Sequence, residues 1–178
     1  MTYDSRHIAN YLLDKADSIN LPLTQISLQK TVFYSHGWYL VLREKPLIND
    51  EIEAWTYGPV IRSLRENFRI FGRARIVDKR AYFYDPITDE TRFEAYDIAV
   101  GDREFLDRML SFYGKMDPSI LIKMTHREGS PWDKVMSAAD HANLGRVIPN
   151  PDIAKYFERL LRRIPQNEVG ALRERYKL

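Results

Sequence analysis

The chain contains no cysteine in its 178 residues. That excludes disulfide staples, thiolate zinc ligands and a thiol nucleophile, and it fits a reducing compartment. Long apolar runs are missing too: no window approaches the roughly 20 residues that span a bilayer. The opening Met1-Thr2-Tyr3-Asp4-Ser5-Arg6 lacks the basic and then apolar run of a signal peptide. The expectation is a soluble, cytoplasmic protein with no membrane partner. The eight glycines are scattered, and none belongs to a phosphate-cradling loop. There is no nucleophile elbow and no His-Glu-x-x-His pair. His7, His36, His126 and His141 have no second histidine at metal-ligand spacing. Nothing in the sequence requires a cofactor or a metal. Excess charge of one sign is also lacking: 27 basic against 25 acidic residues leave +2, no general drive toward nucleic acid.

What is present is apolar and aromatic. The hydrophobic fraction of 44% and the aromatic fraction of 12% suffice for a packed core. Asp4 predicts the cap of a first helix to about Ser18, with Ile8, Leu12, Ala16 and Ile19 on one face. Thr24 predicts the cap of a second helix to about Leu42, with an inward stripe of Leu28, Val32, Ser35, Tyr39 and Leu42. Gly37 inside it costs about 1 kcal/mol relative to alanine, and close approach by another element would compensate. Residues 50–56 read as a short strand. Pro59 suits the first position of a helix to about Phe71, with Val60, Leu64, Phe68 and Phe71 inward and Gly72 as its stop.

Residues 75–97 change to strand-like runs around the turn Asp85-Pro86-Ile87-Thr88-Asp89, which predicts a hairpin or extended excursion. Asp102 predicts the start of a helix to about Tyr113, with Phe105, Met109 and Phe112 on one face. Asp117-Pro118, Ser130-Pro131 and Asn150-Pro151 each read as a cap followed by a first-turn proline. They open helices to about Glu128, Ala139 and Ile164. Residues 146–149 suit a short strand pairing with Ile52-Glu53-Ala54. The expected fold class is α+β and predominantly α-helical: one domain over 1–165 with a small sheet or hairpin, followed by a polar tail, 166–178, of weak helical tendency.

Three features bear on function. Phe33, Tyr34, Trp38, Tyr39, Trp55 and Tyr57 crowd one stretch, and Trp132 stands at a helix start. Most of these suit a core, and tryptophan or tyrosine beside arginine also suits a protein-binding hot spot. Basic residues gather as Arg62, Arg65 and Arg69, and again as Arg159, Arg162 and Arg163. Both read as solvated faces; alternatively the second, on the basic C-terminal helix, serves a nucleic-acid-associated or phage-related regulator. Paired acids, Glu51 with Glu53 and Asp89 with Glu90, read as strand-edge charge. A further alternative is an unrecognised enzyme whose site joins His36, Glu53, Tyr57 and His126.

Taken together, Leu28-Gln29-Lys30, Tyr34, Gly37-Trp38, Leu40, Glu53-Ala54-Trp55, Tyr57-Gly58-Pro59-Val60 and Leu64 resemble the Panacea domain family. That family takes in SocA-like and phage-associated, GepA-like antitoxin domains. Leu121, Thr125-His126, Glu128 and Pro131-Trp132 match its second motif; Ile148-Pro149, Ile153 and Tyr156-Phe157 match its third. The resemblance covers about residues 5–162. It departs at His36, where a small or amide residue is commoner, and after Pro165. It implies a non-enzymatic antitoxin that binds a cognate protein toxin, encoded by a neighbouring gene, or that delivers it as an adaptor to an AAA+ protease. The motif residues Gln29, Lys30, Tyr34, His36, Trp38, Glu53, Trp55, Tyr57, Gly58, Pro59, Thr125, His126, Pro131 and Trp132 are then the candidate interaction set. The contact face, and whether the chain forms a homo-oligomer, stay open.

Overall fold

A computed structural model describes residues 2–138 and 145–165, with Gly170 and Glu174. His141, the basic residues Arg173, Arg175 and Lys177, and the expected weak helix of the tail lie outside the described residues. Among those described, seven α-helices surround one another and carry two small antiparallel sheets. Helix α1 spans Ser5–Ser18 and α2 spans Gln25–Arg43. Asp4 and Thr24 cap them through side-chain oxygens that accept from Arg6 and Ser27 amides, as their identities predict.

Helix α2 is the axis of the fold. The expected one-sided stripe is an understatement, because every residue from Ser27 to Gly37 is buried. A helix packed on all sides needs no polar face, and α2 touches α1, β2, α3, α4, α5 and α7. Gly37 allows the close approach of one of them. A Cβ there would fall inside the Phe157 ring of α7, Asn150–Leu161. That ring lies edge-on to Trp38, Tyr34 and Phe33 at 5.2, 5.9 and 6.1 Å between centroids. Tyr34 stacks on Tyr113 at 4.4 Å, and the Trp38 indole donates to the Tyr113 hydroxyl at 2.7 Å. The aromatic crowd is therefore mostly core, with Trp38 at its margin.

Strand β1, Ile52–Trp55, pairs antiparallel with β2, Gly58–Ile61, and with β5, Arg146–Val147. The β5 pairing agrees with the sequence. The β2 assignment corrects it: Pro59 does not start a helix but sits in an edge strand opposite Ala54. An edge strand tolerates a residue with no amide hydrogen. Helix α3 begins only at Arg62 and runs to Phe68, followed by a 3-10 turn, Arg69–Phe71, that stops at Gly72.

The hairpin expected over 75–97 forms as β3, Phe83–Asp85, and β4, Glu90–Arg92. Arg75-Ile76-Val77 contributes only an isolated bridge to Thr24. Helix α4 spans Val100–Met109 and continues as a π turn, Leu110–Gly114. Asp102 lies within its first turn rather than at its start. The π turn shifts the helical phase, so Phe112, expected inward, is 58% exposed, whereas Leu110 and Tyr113 are buried. Ile19, also expected inward, follows the end of α1 and is exposed. Helix α5, Pro118–Thr125, stops before the expected Glu128, and α6 spans Pro131–Ser137. Both use their Asp-Pro and Ser-Pro caps as predicted. Asn150 does not cap α7: the cap position is Pro149, and the Asn150 side chain is taken by His36. Among the described residues no helix is long and apolar enough to cross a membrane.

Candidate protein-binding surface

The two motif segments meet around the β1–β2 turn. Seen from α2, Gln29 acts as a surrogate strand: its amide donates to the Ile61 carbonyl at 2.9 Å and its oxygen accepts from the Ile61 amide at 3.0 Å. That covers the free edge of β2, which would otherwise offer unpaired backbone. One residue on, the Lys30 ammonium donates to the Pro59 carbonyl at 2.8 Å. From the other side, His126 Nε2 lies 3.1 Å from the Thr56 carbonyl, and the Trp132 indole donates to the Trp55 carbonyl at 2.7 Å. The two rings lie in contact, 3.8 Å between centroids and tilted by 51°. Ser130 and Pro131 fix where α6 starts and hence where Trp132 stands.

Gly58 lets these supports close up. Its φ is +94°, a conformation that favours glycine, and a Cβ there would collide with the Thr125 hydroxyl and come within 2.8 Å of Lys30 Nζ. The turn is thus a rigid element. It presents Thr56 and Tyr57 outward, Tyr57 at 61% exposure. Trp55 is half-buried beside it, with the Arg65 and Arg62 guanidinium groups 4.8 and 5.9 Å from its ring.

Glu53 overturns the reading of strand-edge charge. It is buried, accepts two hydrogen bonds from Arg62 at 3.0 Å and one from the Trp55 indole at 2.8 Å, and so locks β1 to the start of α3. Glu51, by contrast, is exposed.

Lys30 is 2% exposed and no carboxylate lies within ion-pair distance among the described residues. Burial alone pushes its amine down to about 7. The unfolded chain holds that proton up to the ordinary lysine value, so between about 7 and about 10.4 the unfolded state binds more protons than the folded one. Stability attributable to Lys30 is therefore full above that window and lost as pH falls through it. Urea melts at pH 7, 8 and 9 should show the native chain gaining on Lys30→Met by up to about 1.4 kcal/mol per pH unit. Parallel pH profiles would dismiss the burial penalty.

The remaining candidates divide. Tyr34 and Trp38 belong to the core around Phe157. His36 is fully buried; its Nδ1 accepts from the Ile48 amide at 3.4 Å and its Nε2 faces Asn150 Oδ1 at 2.8 Å. Burial lowers its pKa and keeps it neutral. The proposed enzyme constellation is not assembled: Glu53, Tyr57 and His126 border the turn, while His36 joins α2 to α7 with no access for a substrate. No group of residues suited to a metal ion occurs among the described residues.

The basic groups are largely engaged. Arg62 pairs with Glu53, Arg65 and Arg69 both pair with Glu66, and Arg159 donates to the Gly129 carbonyl at 2.6 Å. Arg162 and Arg163 are exposed just past the end of α7. Sequence reasoning grouped these arginines by spacing; Glu66, which pairs with Arg65 and Arg69, sits on the same short segment, whereas Glu53, which pairs with Arg62, comes from β1. It missed Gln25 and Ile26, which adjoin Tyr57 across a surface hollow. Neither residue type distinguishes itself in the sequence.

A family model described as "Antitoxin SocA-like, Panacea domain" matches residues 28–133, the span that carries both halves of the clamp. Among curated proteins the chain is similar to "Antitoxin SocA" of Caulobacter vibrioides (strain NA1000 / CB15N). The two are 34% identical over 142 residues, 80% of this chain and 74% of that protein. No solved structure matches.

Proposed function

We propose that this chain, which belongs to the SocA-like Panacea antitoxin family, neutralises a cognate protein toxin by binding it directly and without catalysis, using the clamped β1–β2 turn as its contact surface. The observation that supports this reading is the exposure of Tyr57 on a backbone held from α2, α5 and α6 at once. A rigid, exposed aromatic flanked by Trp55 and two arginines loses little freedom on binding and has the composition of an interface hot spot. The neutral His36 and the salt-bridged Glu53 are accounted for by packing, which leaves no assembled acid/base pair on this face.

The product of a toxic gene beside this one is the first partner to test. Co-expression of the chain should restore growth and the two proteins should co-purify. Tyr57→Ala removes an exposed side chain, so the fold should change by less than about 0.5 kcal/mol. Binding should weaken by at least about 30-fold, the equivalent of a 2 kcal/mol hot spot. Unchanged affinity for Tyr57→Ala would move the contact surface elsewhere, and absence of both rescue and complex would remove the antitoxin role. Sequestration leaves the toxin's lifetime unchanged when the chain is present. Delivery to an AAA+ protease, the SocA-like alternative, shortens it in a pulse-chase.

A further inference from the structure

Beside the turn lies a small cavity of about 240 Å³, bordered by Gln25, Gln29, Lys30, Trp55, Tyr57 and Arg65. A second, wider hollow of about 620 Å³ between α3 and the start of α5, bordered by Asp117, shares Gln25, Ile26, Tyr57 and Arg65 with it. The first is smaller than the roughly 300 Å³ at which small-molecule sites begin. It suits one inserted side chain.

The chemistry of that cavity is unbalanced. Lys30 has three donors and one acceptor, the Pro59 carbonyl. It is nine-tenths buried and more, and burial is the single cause of its altered amine, with no acidic neighbour acting on it. Holding the Pro59 carbonyl requires only a neutral donor, and Gln29 performs that same task one residue earlier. An ammonium in the interior without a counter-charge is costly unless something supplies one. Arg65 borders the same cavity, its guanidinium 4.8 Å from the Trp55 ring, with one of its nitrogens donating to the exposed Glu66 at 3.0 Å and the others left for a second acceptor. Two basic side chains, Lys30 and the Glu66-paired Arg65, thus border a space with no carboxylate among its bordering residues, while the Gln29 amide is engaged by Ile61 and the Gln25 amide donates to the Arg65 carbonyl at 3.4 Å.

We propose that the Lys30 cavity receives an acidic side chain of the toxin, whose carboxylate accepts from Lys30 and Arg65 while its stem lies against Trp55 and Tyr57. This rests on the antitoxin reading and deepens it, making Tyr57 the rim and Lys30 the floor of one binding site. An inserted carboxylate would restore the proton that burial removes from Lys30, so insertion is coupled to proton uptake at neutral pH.

The test needs no toxin. The full chain, labelled on lysine and tryptophan, is titrated with N-acetylglutamate N-methylamide and, separately, with its glutamine analogue. The glutamate probe should give a saturable NMR shift at Lys30 Cε and at the Trp55 indole. The glutamine analogue should bind about tenfold or more weakly, the difference expected for hydrogen bonds to a charged group. Arg65→Ala, at a half-exposed position, should weaken the glutamate probe without unfolding the chain, so the outcome does not depend on a Lys30 variant that fails to fold. Equal binding of the two probes, or no saturable shift, overturns the proposal. Acetate or inorganic phosphate matching the glutamate probe also overturns it, leaving a site for free anions. Because the probe reads the cavity alone, a failed growth rescue would sink the antitoxin role and leave this result standing.

Discussion

Gly37→Ala is expected to destabilise the fold by about 3 kcal/mol, although it adds a single methyl group and improves helix propensity by about 1 kcal/mol. The new Cβ would occupy the space of Phe157 Cε2, Cζ and Cδ2. Overpacking is cheap only where the neighbour can step aside. Phe157 cannot: it is fully buried, with Phe33, Tyr34, Trp38 and Tyr156 around its ring. The alternative is to part α2 from α7, which would also strain the His36–Asn150 hydrogen bond between the same two helices.

Phe157→Ala alone should cost about 3–5 kcal/mol by leaving a cavity. Against a total of about 5–15 kcal/mol for a typical domain, either change brings unfolding within reach. The two are coupled, however. In Gly37→Ala/Phe157→Ala the added methyl group enters space the lost ring has vacated. Urea denaturation of the four proteins should give a double variant less unstable than the sum by more than about 1 kcal/mol. Additivity within about 0.5 kcal/mol would mean that the two positions do not share that space.

How much of this was legible in the sequence depended on how local the signal was. Asp4, Thr24, Asp117-Pro118 and Ser130-Pro131 act within one helical turn, and each cap stands where it was expected. Gly37 was legible as a point of close approach, but not its partner. Asn150-Pro151 carries the same local signal as the other two Asp/Ser-Pro pairs. It fails as a cap because its side chain is claimed by His36, 114 residues earlier. Pro59 failed for a related reason. A proline before an amphipathic run fits a helix start and an edge strand equally, and the choice is made by Gln29 and Lys30 binding the outer edge of β2.

The candidate surface was half legible. Its residues were marked by the family motifs, because Gln29, Lys30, Gly58, Thr125, His126 and Trp132 all serve one turn. Their division into supports and presented groups was not, since burial of Lys30 and exposure of Tyr57 follow from tertiary packing. Phe112 and Tyr113 show the same limit: a π turn rephases the helix by one residue, and no spacing in the sequence announces it.

Asp102→Ala should be the most damaging polar substitution, costing about 3–5 kcal/mol, the range for removing one partner of a buried charge network. Its carboxylate accepts from the Tyr3 hydroxyl at 2.7 Å and from the Tyr39 hydroxyl at 3.0 Å, and it lies 3.5 Å from the Arg43 guanidinium. Three separate parts of the chain are therefore joined at one side chain: the N-terminal segment, the end of α2 and the first turn of α4. The Tyr3 segment has few other anchors; its backbone exchanges hydrogen bonds with Leu47 and Asn49, and its hydroxyl also accepts from the Ala99 amide. Helix α4 has no side-chain cap, so the negative charge in its first turn is also its complement to the helix dipole. Asp102→Asn keeps the shape and one acceptor oxygen but loses the charge. It should fall between the native chain and Asp102→Ala, at about 1–3 kcal/mol. Thermal and urea melts of the two variants decide the matter. Equal losses would show that only the charge matters. Losses under about 0.5 kcal/mol for both would show that the tyrosines and Arg43 are as well satisfied by water, and that α4 is held by its apolar face, Phe105 and Leu106, alone.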